Sequence, residues 1–283
     1  MAAASSDPDV SVVVVAHSVR NELERCLGSI RDFAEVAVQS ILVDNASTDG
    51  TVPWVHASHP SVEVIQLPEN IGMVARDHGL RRARGRLTMF LDSDAALTPG
   101  ALPAMVGALD RNPEWGLIGP RLVGDDGALQ LSCRRFPPPL LPLMRRPPLS
   151  VLWEKSAVVR RHLMMDIDHS LTRPVVYVLG ACQLFRTSLG RKVAHEMGPP
   201  SERIFFGPDD IEWCIRIRDA GGEIVYFPSA TVIHSYRRQS RRRPFSRHSW
   251  RHLRAFAVFQ WRYRRRRGEL ERLASELDRR AAR

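Results

Sequence analysis

The chain has little of what would assign it quickly. It has four cysteines, Cys26, Cys133, Cys182 and Cys214, and no two stand as a CxxC pair. That excludes a zinc ribbon and a disulfide-stapled fold, and leaves reduced thiols of the cytosolic kind. Long apolar runs are missing too. The longest clear one, Val10–Ala16, is far short of the ~20 residues that cross a bilayer. The opening MAAASSDPDV has neither the basic nor the apolar region of a secretory signal. No G-x-G-x-x-G follows the first apolar run, where Ala16-His17-Ser18 stands instead, so a dinucleotide-dependent dehydrogenase is excluded. A glycine-rich phosphate loop is absent there as well, which argues against a nucleotidyltransferase. No segment repeats.

What is present is a globular composition, 44% hydrophobic and 25% charged. A length of 283 residues suits one large α/β domain or two small ones. The net charge of +10 is unevenly placed. Met1–Tyr236 has 24 basic and 27 acidic side chains, net −3, whereas Arg237–Arg283 has 17 arginines and 4 acids, net +13. The body is therefore mildly acidic and the basicity belongs to the tail.

Apolar periodicity predicts strands over Val10–Ala16, Ser40–Val43, Val62–Gln66 and Arg86–Leu91. Helices are predicted over Glu22–Phe33, from Ser47 to His56 with Ser47, Thr48 and Asp49 available as caps, over Ile71–Ala83, and over Pro99–Asp110. Four alternations of this kind imply a mostly parallel sheet with crossover helices, whose ligands bind at the carboxyl ends of the strands. Those ends carry Asp44 and the pair Asp92/Asp94. The second half is less regular. Leu117–Gly119, Leu129–Cys133, Val175–Phe185, Glu223–Phe227 and Thr231–His234 are predicted strands, Asp209–Asp219 is a predicted helix, and Phe136–Pro148 is a Pro-rich loop.

Several residues fit a chemical role as well as a structural one. Asp92-Ser93-Asp94 ends a strand, and its carboxylates suit a hard cation such as Mg²⁺ or Mn²⁺, or a solvated turn. Asp44, in V-D-N-A-S-T-D-G-T, can accept the N3–H of a pyrimidine, or belong to a helix cap. Pro208-Asp209-Asp210-Ile211-Glu212 follows the aromatic pair Phe205-Phe206. Its acids suit a helix N-terminus or a general base whose pKa a neighbouring carboxylate raises. His234 is a candidate metal or diphosphate ligand or a packed histidine, and Arg76 a candidate phosphate partner or a surface arginine.

Taken in order, these pieces resemble family 2 glycosyltransferases, and within them the bacterial rhamnosyltransferase-like branch. The stretches that carry the resemblance are ILVDNASTDGT, LPENIGMVARDHGLRRARGR, LDSDAALTPGAL, IGPRLVGDDGALQLSCRRFP, VLGACQLFR and FGPDDIEWCIRIRDAGGEIVYFPSATVIH. The resemblance implies a GT-A fold over residues 1–236. Residues 10–115 would form the nucleotide-sugar half and 116–236 the acceptor half, with 237–283 a basic amphipathic tail. It implies an inverting transferase that moves a sugar, rhamnose or another deoxysugar, from a dTDP- or UDP-sugar to a hydroxyl of a lipid-linked or cell-envelope glycan. Asp44 and Asn45 would contact the nucleotide, and Arg76 the ribose or diphosphate. Asp92, Asp94 and His234 would hold a divalent metal, and Gly180, Ala181 and Asp209 would line the acceptor site. Asp210 would be the catalytic base. The chain departs from the pattern at Ala16-His17-Ser18, where Thr-Tyr-Asn is common, and at Asp-Ser-Asp, where that branch often has Asn-Pro-Asp.

In the tail, Trp250, Leu253, Ala257 and Trp261 recur at helical spacing, with Phe256, Val258, Phe259 and Tyr263 beside them and arginines flanking. An anionic bilayer interface fits this composition, which places the enzyme in the cytoplasm, peripheral on the inner face of the plasma membrane. Packing on the body is the rival, and nucleic acid fits less well. A non-catalytic membrane or RNA adaptor acting through the tail is the alternative function.

Overall fold

Valine-rich Val10–Ala16 forms β1 in the middle of a ten-stranded sheet, as a strand buried on both faces should. A computed structural model describes residues 7–141, 156–197, 207–235 and 247–281. Residues 142–148 of the Pro-rich loop, Phe205-Phe206 and the arginines at 237–243 lie outside the described residues. The first half runs β1, α1 (Arg20–Phe33), β2 (Val38–Asp44), α2 (Thr51–Ser58), β3 (Glu63–Gln66), a 3₁₀ turn (Gly72–Ala75), α3 (Arg76–Arg82), β4 (Leu87–Asp92), β5 (Ala95–Leu97) and α4 (Ala101–Arg111). The second continues with β6 (Trp115–Val123), β7 (Leu129–Gln130), β8 (Cys133–Arg134), α5 (Ala157–His162), β9 (Arg173–Pro174), β10 (Tyr177–Val178), β11 (Cys182–Arg186), α6 (Thr187–Glu196), α7 (Asp209–Asp219) and β12 (Glu223–His234). Two tail helices follow, α8 (Arg247–Tyr263) and α9 (Arg267–Ala281).

The strand order is β3-β2-β1-β4-β11-β6-β12-β5. The expected parallel sheet holds for β3, β2, β1 and β4. Beyond β4 the sheet is mixed. β11 is antiparallel to both β4 and β6, β12 is parallel to β6, and β5 is antiparallel to β12. Val175–Phe185, expected as one strand, is two. Tyr177–Val178 pairs with β8 in a separate two-stranded sheet, and Cys182–Arg186 enters the main one, with Gly180 at the break. Conversely, the two strands expected over 223–234 are one, with an irregularity between Phe227 and Thr231. α2 starts at Thr51, later than expected. Its N-cap is Gly50 at φ +77°, and Asp49 accepts from the Thr51 amide.

The strand pleat divides the core between two faces. Val12 and Val14 pack with Leu23 and Leu27 of α1 and Leu102 and Met105 of α4. Val13 faces the opposite layer with Leu80, Phe90, Phe185 and Trp213. α3 lies so close to β1 that a Cβ on Gly79 would collide with the Val13 side chain, which fixes the helix carrying Arg76. The second layer also takes in Phe259, Tyr263, Leu270, Ala274 and Leu277, so the tail completes the core of the body. Residues 136–141 pack on the tail as well. Phe136 meets the Phe259 ring, and Leu141 joins Val159 and Phe256. All four cysteines are buried and free. No helix among the described residues is long and apolar enough to cross a membrane.

Candidate active site

Parallel pairing brings the first acids together. β1 pairs Ala16 with Asp44 on one side and Val15 with Asp92 on the other, so both carboxylates leave the same edge of the sheet. They stand one strand either side of β1, about 10 Å apart across the sheet. Asp44 is buried. Its Oδ2 accepts from the Ser47 amide, while its Oδ1 has no partner. Asn45 is buried too, but its side chain is committed to the chain itself. Its Oδ1 accepts from the Ile71 amide, and its Nδ2 donates to Asn70 and to the Gly72 carbonyl. Asn45 therefore shapes the loop that leads into Arg76.

The metal-ligand candidates meet. Ligand atoms of Asp92, Asp94 and His234 all lie within 4.8 Å of one another. His234 arrives through antiparallel pairing of β12 with β5, which sets it opposite Ala95 and next to Asp94. Its Nε2 lies 3.4 Å from Asp94 Oδ1. Its Nδ1 faces Gln130 Oε1 at 2.8 Å, while Gln130 Nε2 donates to the His234 carbonyl at 2.7 Å. The second bond fixes which end of the amide is oxygen. Nδ1 must therefore carry the proton, and Nε2 is the nitrogen turned toward the carboxylates. Burial alone would lower the His234 pKa, but the Asp94 hydrogen bond and the nearby Asp92 charge raise it overall. Burial also raises the Asp92 pKa, with Arg76 opposing and Asp94 adding to the rise. Two half-buried carboxylates and an oriented imidazole form a hard, mixed O/N donor set that fits a divalent cation, Mn²⁺ or Mg²⁺.

Arg76 joins this group to the acids that open α7. Its Nη2 donates to Asp92 Oδ1 at 2.6 Å and to the Gly180 carbonyl at 3.0 Å, and its Nη1 lies 3.8 Å from Asp209 Oδ2. The guanidinium is buried and sits over the Phe90 ring. Arg76 is therefore not a surface arginine but a buried bridge between Asp92, Gly180 and Asp209. Gly180 leaves it room, because a Cβ there would fall 3.1 Å from Arg76 Nη1 and 3.4 Å from Asp210 Cβ. Ala181 is buried in the core and acts through its carbonyl, which accepts from the Asp92 amide.

Asp209 and Asp210 open α7 as expected. Asp209 Oδ1 accepts from the Gly207 amide. Burial, then the Asp209 charge, pushes the Asp210 carboxyl up to about 7, with Arg134 opposing. Asp209 is raised by burial against the pull of Arg76. The third acid of the motif, Glu212, faces the tail. It is fully buried and accepts from Arg262 and from the Tyr263 hydroxyl. Gln130 is the functional residue missed by sequence reasoning. It lies within DGALQLSC, a stretch similar to the family, but nothing in its spacing marks it.

The sequence model described as Glycosyl transferase family 2 matches residues 11–189. The chain is 28% identical over 247 residues to N-acetylglucosaminyl-diphospho-decaprenol L-rhamnosyltransferase of Mycobacterium tuberculosis (strain H37Rv), covering 83% of this chain and 78% of that protein. It is 32% identical over 125 residues to the teichuronic acid biosynthesis glycosyltransferase TuaG of Bacillus subtilis (strain 168), covering 42% and 50%. Among solved structures, S. aureus TarS 1-349 in complex with UDP-GlcNAc superposes with a TM-score of 0.59 at 18% identity, covering 88% of this chain and 66% of that one. The mannosyltransferase PcManGT of Pyrobaculum calidifontis, in complex with GDP-Man and Mn²⁺, superposes with 0.55 at 19%, covering 91% and 65%. This chain spans 37% of a longer TarS chain. The fold is the GT-A fold of these transferases, and the chain belongs to glycosyl transferase family 2.

Proposed function

We propose that residues 10–115 bind a UDP- or dTDP-sugar, and that residues 116–236 bind a lipid-linked glycan whose hydroxyl receives the sugar with inversion. The observation that carries the donor class is Asp44. A buried carboxylate oxygen without a partner costs roughly 1–3 kcal/mol or more, so it calls for a donor from outside the chain. The N3–H of uracil or thymine supplies one. Asp92, Asp94 and His234 would hold the divalent metal, which when bound offsets the charge of the diphosphate leaving group. Mn²⁺ accompanies the nucleotide in PcManGT, and Mg²⁺ suits the same donors.

Asp210 then has one task. The acceptor oxygen forms its bond to the anomeric carbon as the bond to the diphosphate oxygen breaks on the opposite face. Asp210 takes the hydroxyl proton. A carboxylate raised to about 7 is well matched to it, keeping a large ionised fraction near neutral pH while being a stronger base than an ordinary aspartate. Asp209 and Arg76 stand beside Asp210, and Gly180, whose lack of a side chain lets the Arg76 guanidinium approach, lines the acceptor site with them. A single displacement inverts the anomeric centre and needs no covalent nucleophile. The M. tuberculosis relative is named for rhamnosyl transfer to a lipid diphosphate sugar, and we propose a deoxysugar donor and a polyprenyl-type acceptor here. Such an enzyme works in the cytoplasm against the inner face of the plasma membrane. The adaptor alternative finds no support, because the acids converge on one cleft and the tail is built into the core.

A thermal-shift panel of UDP- and dTDP-sugars with Mg²⁺ and Mn²⁺ tests the donor. A ligand at 100 times its Kd adds about 2.7 kcal/mol of stability. Stabilisation by a cytidine or guanosine diphosphate sugar alone would overturn the reading of Asp44.

A further inference from the structure

We propose that the outward face of α8 docks on an anionic lipid bilayer. This goes beyond the transfer reading and holds whichever sugar is moved. At about 100° per residue, Trp250, Arg254, Ala257 and Trp261 fall within roughly 60° of one another on the helix. Phe256, Phe259 and Tyr263 lie on the roughly opposite side. The second set is buried against the body, while Trp250 and Trp261 are 64% and 66% exposed. The aromatic residues of the tail thus divide between two tasks. One set holds the helix to the protein, and the other faces solvent at large apolar cost unless something covers it.

The apolar surface is local. Eight large hydrophobic side chains are exposed among the described residues, and Trp250, Val258 and Trp261 are on α8. Leu140 and Val158 are two more, and they are chain neighbours of Leu141 and Val159, which both pack on Phe256 of α8. Three of the eight are therefore on this helix, and two more are chain neighbours of residues packed on it.

The charge matches a bilayer. From Arg237 to Gly268 the sequence holds 13 arginines and no acid. The structure sorts the described ones. Arg262, Arg266 and Arg267 pair with Glu212, Asp219 and Glu271. Arg254, Arg264 and Arg265 are exposed, and Arg264 stacks on the Trp261 ring at 4.4 Å. Two tryptophans about 16 Å apart along a helix, interleaved with arginines, place indoles at headgroup depth and cations against lipid phosphate. The same helix contacts α7, which opens with Asp209 and Asp210, so a docked α8 holds the catalytic cleft one helix away from the lipid surface.

Flotation of the full-length chain tests this, with vesicles of phosphatidylcholine containing roughly 30% phosphatidylglycerol, at low salt and at about 0.5 M salt. The wild type floats with the anionic vesicles at low salt and falls away at high salt or with pure phosphatidylcholine. Trp250→Ser/Trp261→Ser partitions at least tenfold more weakly, and Arg254→Glu/Arg265→Glu behaves likewise. Both variants keep the wild-type thermal midpoint and its shift with nucleotide sugar and Mn²⁺, which separates loss of docking from loss of the fold or the donor site. The proposal is overturned by a wild type that stays unbound at low salt, or by a tryptophan variant that floats as well as wild type. Preferential transfer of the protein to single-stranded RNA at equal phosphate also overturns it, as does a Trp-dependent dimer that does not float.

Discussion

The two halves of the cleft are built by different means. Residues 10–97 deliver Asp44, Asp92 and Asp94 from the ends of strands, so the sheet itself sets their spacing. Residues 115–234 deliver His234 by antiparallel register, Gln130 through a two-residue strand, and Asp210 from a helix start that meets the sheet across Gly180 and Arg76. The first half is rigid by topology. The second depends on a few side-chain contacts, and single substitutions there should disturb geometry as well as chemistry.

The largest effect is expected at Asp210, the base we propose. Asp210→Asn should lower kcat by about 10²–10⁴-fold while the donor-induced thermal shift is kept. In the wild type, kcat at saturating metal should rise with pH through about 7 and then level, because the base works only when ionised. The variant should lose that limb. The stability sign follows from the same shift. A carboxyl whose folded pKa is raised binds its proton more tightly in the native state, so its contribution to stability falls as pH rises from the ordinary Asp range toward 7. Asp210→Asn should therefore be no less heat-stable than wild type at pH 8. A variant that loses activity and melts early would place Asp210 in the scaffold.

Gln130→Ala tests whether the second half also tunes the metal site. The substitution removes the amide oxygen that accepts the Nδ1 proton, and with it the bond that selects the tautomer. Metal affinity should drop by about 10- to 100-fold, read by titrating Mn²⁺ against the thermal midpoint, with kcat largely recovered at high metal. Unchanged Mn²⁺ affinity would mean that His234 is oriented by the β12–β5 pairing alone.

The same contrast explains what was legible beforehand. Asp44 and Asp92 follow runs of β-branched or apolar residues, so alternation of strand and helix exposes them directly. Asp209–Asp219 was legible from acids at one end and Gly221-Gly222 at the other, the ordinary chemistry of helix termini. Gln130 was not, because its role comes from sheet register between segments a hundred residues apart. The break at Gly180 was hidden as well. Val175–Phe185 has strand composition throughout, and only the guanidinium of Arg76, brought in by α3, shows why the chain turns there. In the tail, composition marked the aromatics correctly but gave them one face, and angular position divides them into two.

The smallest predicted effect lies where the tail meets the second half. Arg262 Nη1 donates to Glu212 Oε1 at 2.6 Å, the Tyr263 hydroxyl reaches the same oxygen at 3.4 Å, and Glu212 Oε2 is buried without a partner. Arg262→Ala leaves a buried carboxylate poorly compensated. The arginine is 30% exposed, so solvent screens part of the pair, and a loss of about 1–2 kcal/mol is expected. Glu212→Gln should soften that loss, since a neutral amide costs less to bury than a charge, and a double-mutant cycle isolates the pair from the packing of Tyr263. If the tail only covers the core, Arg262→Ala changes the melting temperature and leaves kcat intact. If it also holds α7 in place, the same variant lowers kcat well below its melting transition, and Glu212→Gln in the same chain restores part of it. The second outcome would make the Asp210 side of the cleft depend on the basic tail, a dependence the strand-end acids Asp44 and Asp92 do not share.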